Sequence, residues 1–157
     1  MKEPVHEQTE GPYYKKDSPE RIDIVENGTK GEKLVVEGRV LDKEGRAIAG
    51  AWIDFWQADG KGEYDNNEYK LRGHQHTDET GSYRLETVVP AMYGSRAPHI
   101  HVKLQANQLP EVITTQLYFP DENSNKEDPL FDQALVLSVD DSADGKRARY
   151  DFVLGVD

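Results

Sequence analysis

Two histidines separated by one residue, His99 and His101, stand in the segment Arg96-Ala97-Pro98-His99-Ile100-His101-Val102-Lys103-Leu104. In an extended chain side chains alternate between faces, so both imidazoles share one face while Ile100, Val102 and Leu104 fill the other. Neutral imidazole binds Fe, Zn, Cu and Ni, and two of them on one rigid strand are a route to a metal centre. The pattern equally suits an ordinary strand whose polar face meets water, and both readings stay open on the residues alone. His74 and His76 form a second pair beside the turn Asp78-Glu79-Thr80-Gly81. Facing the first pair, they would complete a four-imidazole zinc or copper site, but their charged, glycine-flanked neighbourhood is more typical of an exposed edge or loop. Tyr64 and Tyr93 stand where turns would project them. A loop tyrosine is ordinarily an amphipathic lid. Beside two imidazoles, however, a phenolate is a hard anionic donor that would favour Fe(III). With no cysteine in the chain, any metal must be held by His, Tyr or carboxylates.

The elements that must position these side chains read as strands. Leu34 to Leu41 is β-rich and ends at the turn-forming Asp42-Lys43-Glu44-Gly45, a strand with its hairpin turn. Ala51 to Trp56 follows, with Trp52 and Trp56 on one face as core. A long polar, glycine-rich loop then carries Tyr64. Ser82 to Val88 alternates with Tyr83, Leu85 and Thr87 on one face, and Pro90 ends it. Further strand-like runs are His99 to Leu104, Val112 to Phe119, Ala134 to Val139 and Ala148 to Leu154, with a turn expected from Asp140 to Gly145. No amphipathic helix of ordinary length is evident, so the expectation is an all-β fold, an antiparallel β-sandwich with long active-site loops. Residues 1–33, rich in Pro, Gly and charge, read as an irregular N-terminal arm packing on a sandwich domain of residues 34–157.

The chain has 157 residues and a net charge of −11, from 19 Lys+Arg against 30 Asp+Glu. That length fits one domain. A strongly acidic balance without a basic stripe argues against nucleic acid or an anionic membrane as partner. No stretch reaches the roughly 18 apolar residues that span a bilayer, and Met1-Lys2-Glu3-Pro4 lacks the apolar run of a secretory signal, so the expectation is a soluble, cytoplasmic protein.

Taken together and in order, Gly11-Pro12-Tyr13-Tyr14, Gly38-Arg39-Val40, Gly50-Ala51-Trp52-Ile53-Asp54-Phe55-Trp56-Gln57-Ala58-Asp59, Gly62 to Tyr64, Thr77-Asp78 with Gly81-Ser82-Tyr83, Pro90 with Tyr93, Arg96 to His101, and Thr114-Thr115-Gln116-Leu117-Tyr118-Phe119 resemble the intradiol ring-cleavage dioxygenases. That family includes the catechol, protocatechuate and hydroxyquinol dioxygenases. The resemblance implies one non-haem Fe(III) per chain, held by Tyr64, Tyr93, His99 and His101. It implies a catechol-type diol and O2 as substrates and a cis,cis-muconic acid as product. It makes Tyr93 the ligand that leaves when substrate binds, Arg96 a stabiliser of charge on the activated ring, and Gln116 a residue that orients substrate or oxygen. On the residues alone, Arg96 could instead pair with an acidic neighbour and Gln116 could cap an edge strand. Gly11, Pro12 and Tyr13 match an arm segment that lines the pocket mouth. Two departures stand out: only five residues separate Tyr93 from His99, and the helical N-terminal dimerisation segment of some members is lacking. The second leaves a monomer, or a homo-oligomer built on other surfaces. The competing reading is a metal-free binding module of the transthyretin or carboxypeptidase-regulatory type, which shares the strand-turn pattern of Gly38 to Ala51.

Overall fold

A computed structural model describes residues 1–157. Alternating apolar residues drive two sheets together face to face. One is four-stranded, in the order β3-β2-β5-β6, from β2 (Trp52–Gln57), β3 (Arg72–His76), β5 (His99–Gln105) and β6 (Ile113–Tyr118), all antiparallel. The other follows the order β4-β1-β8-β7, from β1 (Lys33–Leu41), β4 (Ser82–Val88), β7 (Ser138–Ser142) and β8 (Gly145–Arg149), with β9 (Phe152–Val153) also pairing β1. Leu34, Val36, Val40 and Leu85 of this sheet meet Ile53, Phe55, Ile100, Val102, Leu104 and Leu117 of the first in one core, all fully buried. Each such side chain contributes about 1.5–3 kcal/mol relative to exposure.

The β-sandwich agrees with the sequence reading, while several details differ. The second sheet is mixed, because β8 and β9 run parallel to β1. The turn after β1 closes only the short Leu41–Ala47 bridge, and the chain then crosses to the other sheet, so β1 and β2 form no hairpin. The expected strand from Ala134 to Val139 is instead a 3-10 turn at Gln133–Leu135, capped by the Asp132 carboxylate accepting from Ala134 N–H. The expected turn from Asp140 to Gly145 lies largely within the β7–β8 hairpin, in which Ser142 pairs with Gly145. The run from Ala148 to Leu154 breaks at Tyr150, whose carbonyl passes where a side chain on residue 38 would sit, within 1.8 Å of a Cβ built on Gly38. The charged stretch around His74 is an edge strand, β3.

The first 32 residues hold no strand beyond isolated bridges, yet they cover both edges of the four-stranded sheet. Gln8 N–H donates to the Thr114 carbonyl on the β6 edge. The chain then crosses the outer face, where the Tyr14 ring lies 4.7 Å from that of Trp56. On the far side, Pro19 and Arg21 pair with His74 on the β3 edge, while Ile22 and Ile24 pair with Glu86 on β4 of the other sheet. Residues 19–24 thus stitch the two sheets along one side, with Ile24 fully buried in the core.

Candidate functional site

Strand register sets the site out on the outer face of the four-stranded sheet. Arg72, Trp56, His101 and Gln116 are directly opposed neighbours across β3, β2, β5 and β6, and each is at most 4% exposed. His99 lies one pleat further along β5, opposite Tyr118. The alternation expected of His99 and His101 is therefore present: both sit on this face, while Ile100, Val102 and Leu104 enter the core.

His99 Nδ1 donates to the Ala97 carbonyl at 2.7 Å, which can only accept. That bond fixes the tautomer and leaves the Nε2 lone pair facing inward. His99 Nε2 lies 3.0 Å from His101 Nε2, and the Tyr64 hydroxyl lies 2.8 Å from His101 Nε2 and 3.4 Å from His99 Nε2. A triangle of these sides admits a point about 2 Å from all three atoms, the usual distance from a metal to nitrogen or oxygen ligands. Burial pushes the His99 pKa down to about 4 and that of His101 well below its ordinary value, so both rings are neutral near pH 7. Burial also pushes the Tyr64 hydroxyl well up. A cation at the centre of the triangle inverts that logic, since it stabilises the phenolate that burial disfavours. Three inward-facing lone-pair atoms with few protons to share fit a metal ion.

Tyr64 reaches this point from the loop between β2 and β3, and Tyr93 from the loop between β4 and β5. Asp59 knits the two loops: its carboxylate accepts from Lys61 and Glu63 N–H, and its carbonyl accepts from Gly62 and Ala91 N–H. Gly62 has φ +83°, and a Cβ there would fall 2.1 Å from the Met92 carbonyl, so the loops touch backbone to backbone. Tyr93 sits on a tight turn closed by Tyr93–Arg96 backbone bonds, with Gly94 at positive φ. Its ring stands edge-on to Tyr64 at 5.4 Å and is 38% exposed. The Tyr93 hydroxyl is hydrogen-bonded to the Tyr13 hydroxyl and to neither histidine. Three of the four expected ligands converge on one point, and the fourth lies beside it.

The arm roofs the histidines. Gly11, at φ +73°, passes close enough that a Cβ would contact His101 Cε1 at 3.7 Å. Pro12 is exposed, and the Tyr13 ring packs between Tyr64 at 4.7 Å and Tyr93 at 5.3 Å. Arg96 does pair with an acidic neighbour, Asp128, through Nε at 2.9 Å. Its Nη2 also donates to Gln116 Oε1 at 2.6 Å and the Tyr118 hydroxyl at 3.1 Å. Gln116 is fully buried and donates to the Thr9 carbonyl, tying the arm to β6.

The second histidine pair does not face the first. His74 bonds to Ser18 Oγ and His76 to Glu20, with the full width of β2 between them and β5. Sequence reasoning passed over four neighbours. Trp52 and Trp56, both read as core, differ from that reading: Trp52 is only partly buried, and Trp56, though buried, lies on the outer face away from the sandwich core with its ring stacked on His101 at 4.6 Å and 8°. Arg72 donates to the Tyr13 carbonyl and the Asp65 carbonyl, joining the arm to the Tyr64 loop. Asp128 and Tyr118 hold Arg96. Alternation within Arg72-Gly73-His74-Gln75-His76 and within Thr114 to Tyr118 carried the signal for Arg72 and Tyr118, while Asp128 lay in a loop with no such signal.

A family model described as "Dioxygenase" matches residues 9–156. The chain is 30% identical over 161 residues to the protocatechuate 3,4-dioxygenase beta chain of Burkholderia cepacia, covering 83% of this chain and 68% of that one. It is 29% identical to the hydroxyquinol 1,2-dioxygenase of Rhizobium sp. (strain MTP-10005), covering 88% of this chain but only 56% of that protein. Among solved structures, the dioxygenase domain of a dioxygenase–carbohydrate-binding protein fusion from Streptomyces sp. SirexAA-E superposes with a TM-score of 0.95 at 46% identity, over 99% of this chain and 100% of that one. With the sandwich, the order of motifs and a match running almost end to end, the chain belongs to the intradiol ring-cleavage dioxygenase family.

Proposed function

We propose that the protein is a non-haem Fe(III) intradiol dioxygenase, one ferric ion per chain, that cleaves a catechol between its two hydroxylated carbons. Both atoms of O2 enter the product, so catechol plus O2 gives cis,cis-muconic acid with no other reactant. The observation that carries this reading is the convergence of Tyr64 Oη, His99 Nε2 and His101 Nε2 within 2.8–3.4 Å of one another. Two neutral imidazoles with phenol oxygens suit a hard trivalent ion better than a soft one. Tyr64, His99 and His101 would hold it, with Tyr93 as fourth ligand.

When bound, ferric iron supplies a Lewis acid that makes both catechol hydroxyls easier to ionise and the ring reactive toward O2. The chain's own residues do the rest. Tyr93, exposed and on a short turn, would be the mobile member of the set, and its oxygen would be placed to take up one substrate proton. The Tyr13 hydroxyl, which shares a hydrogen bond with that of Tyr93, would hold this oxygen in its present position. The Arg96 guanidinium lies near enough to lower the pKa of Tyr64 and His99 by its charge, and that field also stabilises an anionic ring. Gln116, held by Arg96 and Thr9, orients the bound diol or oxygen. The arm from Gly11 to Tyr14 keeps water from the histidine side.

Metal analysis with a visible spectrum tests the reading. One iron per chain and a reddish colour from tyrosinate-to-iron charge transfer are expected. A protein that stays colourless after iron reconstitution, or that carries stoichiometric zinc, overturns it.

A further inference from the structure

Asp128 lies in the loop after β6, 32 residues from Arg96 in sequence, and its side chain is completely buried. A carboxylate in that position is costly unless both oxygens are hydrogen-bonded. Here they are. Oδ2 accepts from both Arg96 Nε and Ala97 N–H at 2.9 Å, and Oδ1 accepts from Leu130 N–H at 2.9 Å. Burial pushes the carboxyl up, but these bonds outweigh it and hold the group ionised below the usual carboxylate range.

The geometry of the guanidinium follows from this grip. A guanidinium is a rigid plane with five N–H donors, so fixing one edge fixes the other. Asp128 takes Nε, while Gln116 and Tyr118 take Nη2. Nη1, with two N–H groups, makes none of these bonds and is the edge left to meet an anionic ligand. The same Oδ2 also reaches one of the histidines indirectly. It accepts from Ala97 N–H, and the Ala97 carbonyl accepts from His99 Nδ1 at 2.7 Å. One buried oxygen therefore sets both the direction of the Arg96 charge and the backbone that orients His99.

We propose that Asp128 is a positioning residue for the ring-cleavage reaction: it clamps Arg96 so that the free edge of the guanidinium faces the bound diol, and it acts through Arg96 instead of touching substrate. This rests on the ferric dioxygenase reading above. A carboxylate that merely stabilised the loop would lower stability in every background, whereas a clamp has an effect only where Arg96 is present.

The test is a double-mutant cycle of Asp128→Asn, Arg96→Ala and the pair, with kcat, KM and iron content measured on catechol. Asp128→Asn should lower kcat about tenfold or more, with KM within about threefold and iron retained, and the pair should be no slower than Arg96→Ala alone. Bound 4-nitrocatechol, titrated without oxygen, should ionise at higher pH in Asp128→Asn than in the wild type, because the cation no longer faces the ring. With diamagnetic Ga(III) in place of iron, the Arg96 Nε–H signal should exchange slowly in the wild type and rapidly in the variant. Should Asp128→Asn fail to fold, Asp128→Glu keeps the charge, displaces it by one methylene and is read through the same cycle. A kcat within twofold of the wild type, losses that multiply in the pair, or an unchanged Nε–H signal overturns the clamp. A wild type that neither retains iron nor cleaves catechol refutes the ferric reading instead, and the same Nε–H comparison on the metal-free protein then decides whether Asp128 holds Arg96.

Discussion

Tyr64 and Tyr93 are the same residue type in different surroundings. Tyr64 is held against both imidazoles, whereas Tyr93 shares its hydroxyl with Tyr13 and is more than a third exposed. Removing the hydroxyl of Tyr64 takes one vertex from the donor triangle, so Tyr64→Phe is expected to lose most of its iron. Tyr93→Phe is expected to keep most of its iron and lose turnover. Iron content and the visible spectrum, with and without catechol, check both, and equal iron loss in the two variants contradicts these roles. That His99 and His101 share one face was legible from strand alternation, whereas the company of Tyr64 and Tyr93 was suggested only by the resemblance of their motifs to a known family. Asp128 was not, because nothing in a loop's local pattern says which distant cation its carboxylate will meet. Trp56 was legible as a buried residue but not as the ring beneath His101, since that contact depends on the β2–β5 register.

Among the elements, the two loops that carry the tyrosines behave as one piece. Gly62→Ala adds a carbon where Met92 already has its carbonyl, at a backbone angle that L residues avoid. The expected result is a loss of about 1–3 kcal/mol in chemical denaturation, with a further drop in kcat because Tyr64 and Tyr93 are pushed apart. A variant as stable and as active as the wild type contradicts the interlock. The arm has its own pH dependence. His6 bonds to Glu3 and Asp132 at 2.7 Å each, and these bonds raise its pKa above 6.5. The stabilisation is therefore full below pH 6.5 and fades as pH rises through the raised value. Amide exchange across residues 3–9 should quicken from pH 6 to pH 9 beyond the intrinsic change, and His6→Gln should abolish the excess. The arm's irregularity was plain from its prolines and glycines, but its stitching of β3 to β4 was not. Apart from the alternation of Ile22 and Ile24, backbone pairing by residues 19–24 leaves no side-chain signal of which strands it joins. Likewise the parallel β1–β8 pairing is a long-range choice that local alternation does not encode.

At the scale of the whole molecule, a charge of −11 surrounds a site whose nearby arginines have little charge to spare: Asp128 neutralises Arg96, whose one free edge is reserved for the diol oxygens, and backbone carbonyls of the arm and loop hold Arg72. A carboxylated diol meets a repulsive mean field with little local compensation. Neutral catechols should therefore be cleaved at least as well as protocatechuate. The five-residue link from Tyr93 to His99 leaves little side-chain mass to enclose a ring, so methyl- and chlorocatechols should differ by no more than about 1–3 kcal/mol in kcat/KM. Oxygen uptake across that panel decides it, and a preference for protocatechuate above about a hundredfold, roughly 2.7 kcal/mol, contradicts it. Two segments far apart in sequence also meet at a single residue. Lys43 accepts at its carbonyl from Lys2 N–H and donates its own N–H to the Val156 carbonyl, and Val5 N–H reaches the Val153 carbonyl. One loop thus latches the arm and the last strand together, and loosening it should free both at once: amide exchange at Lys2, Val5 and Val156 should quicken in step when the turn at Asp42–Arg46 is destabilised.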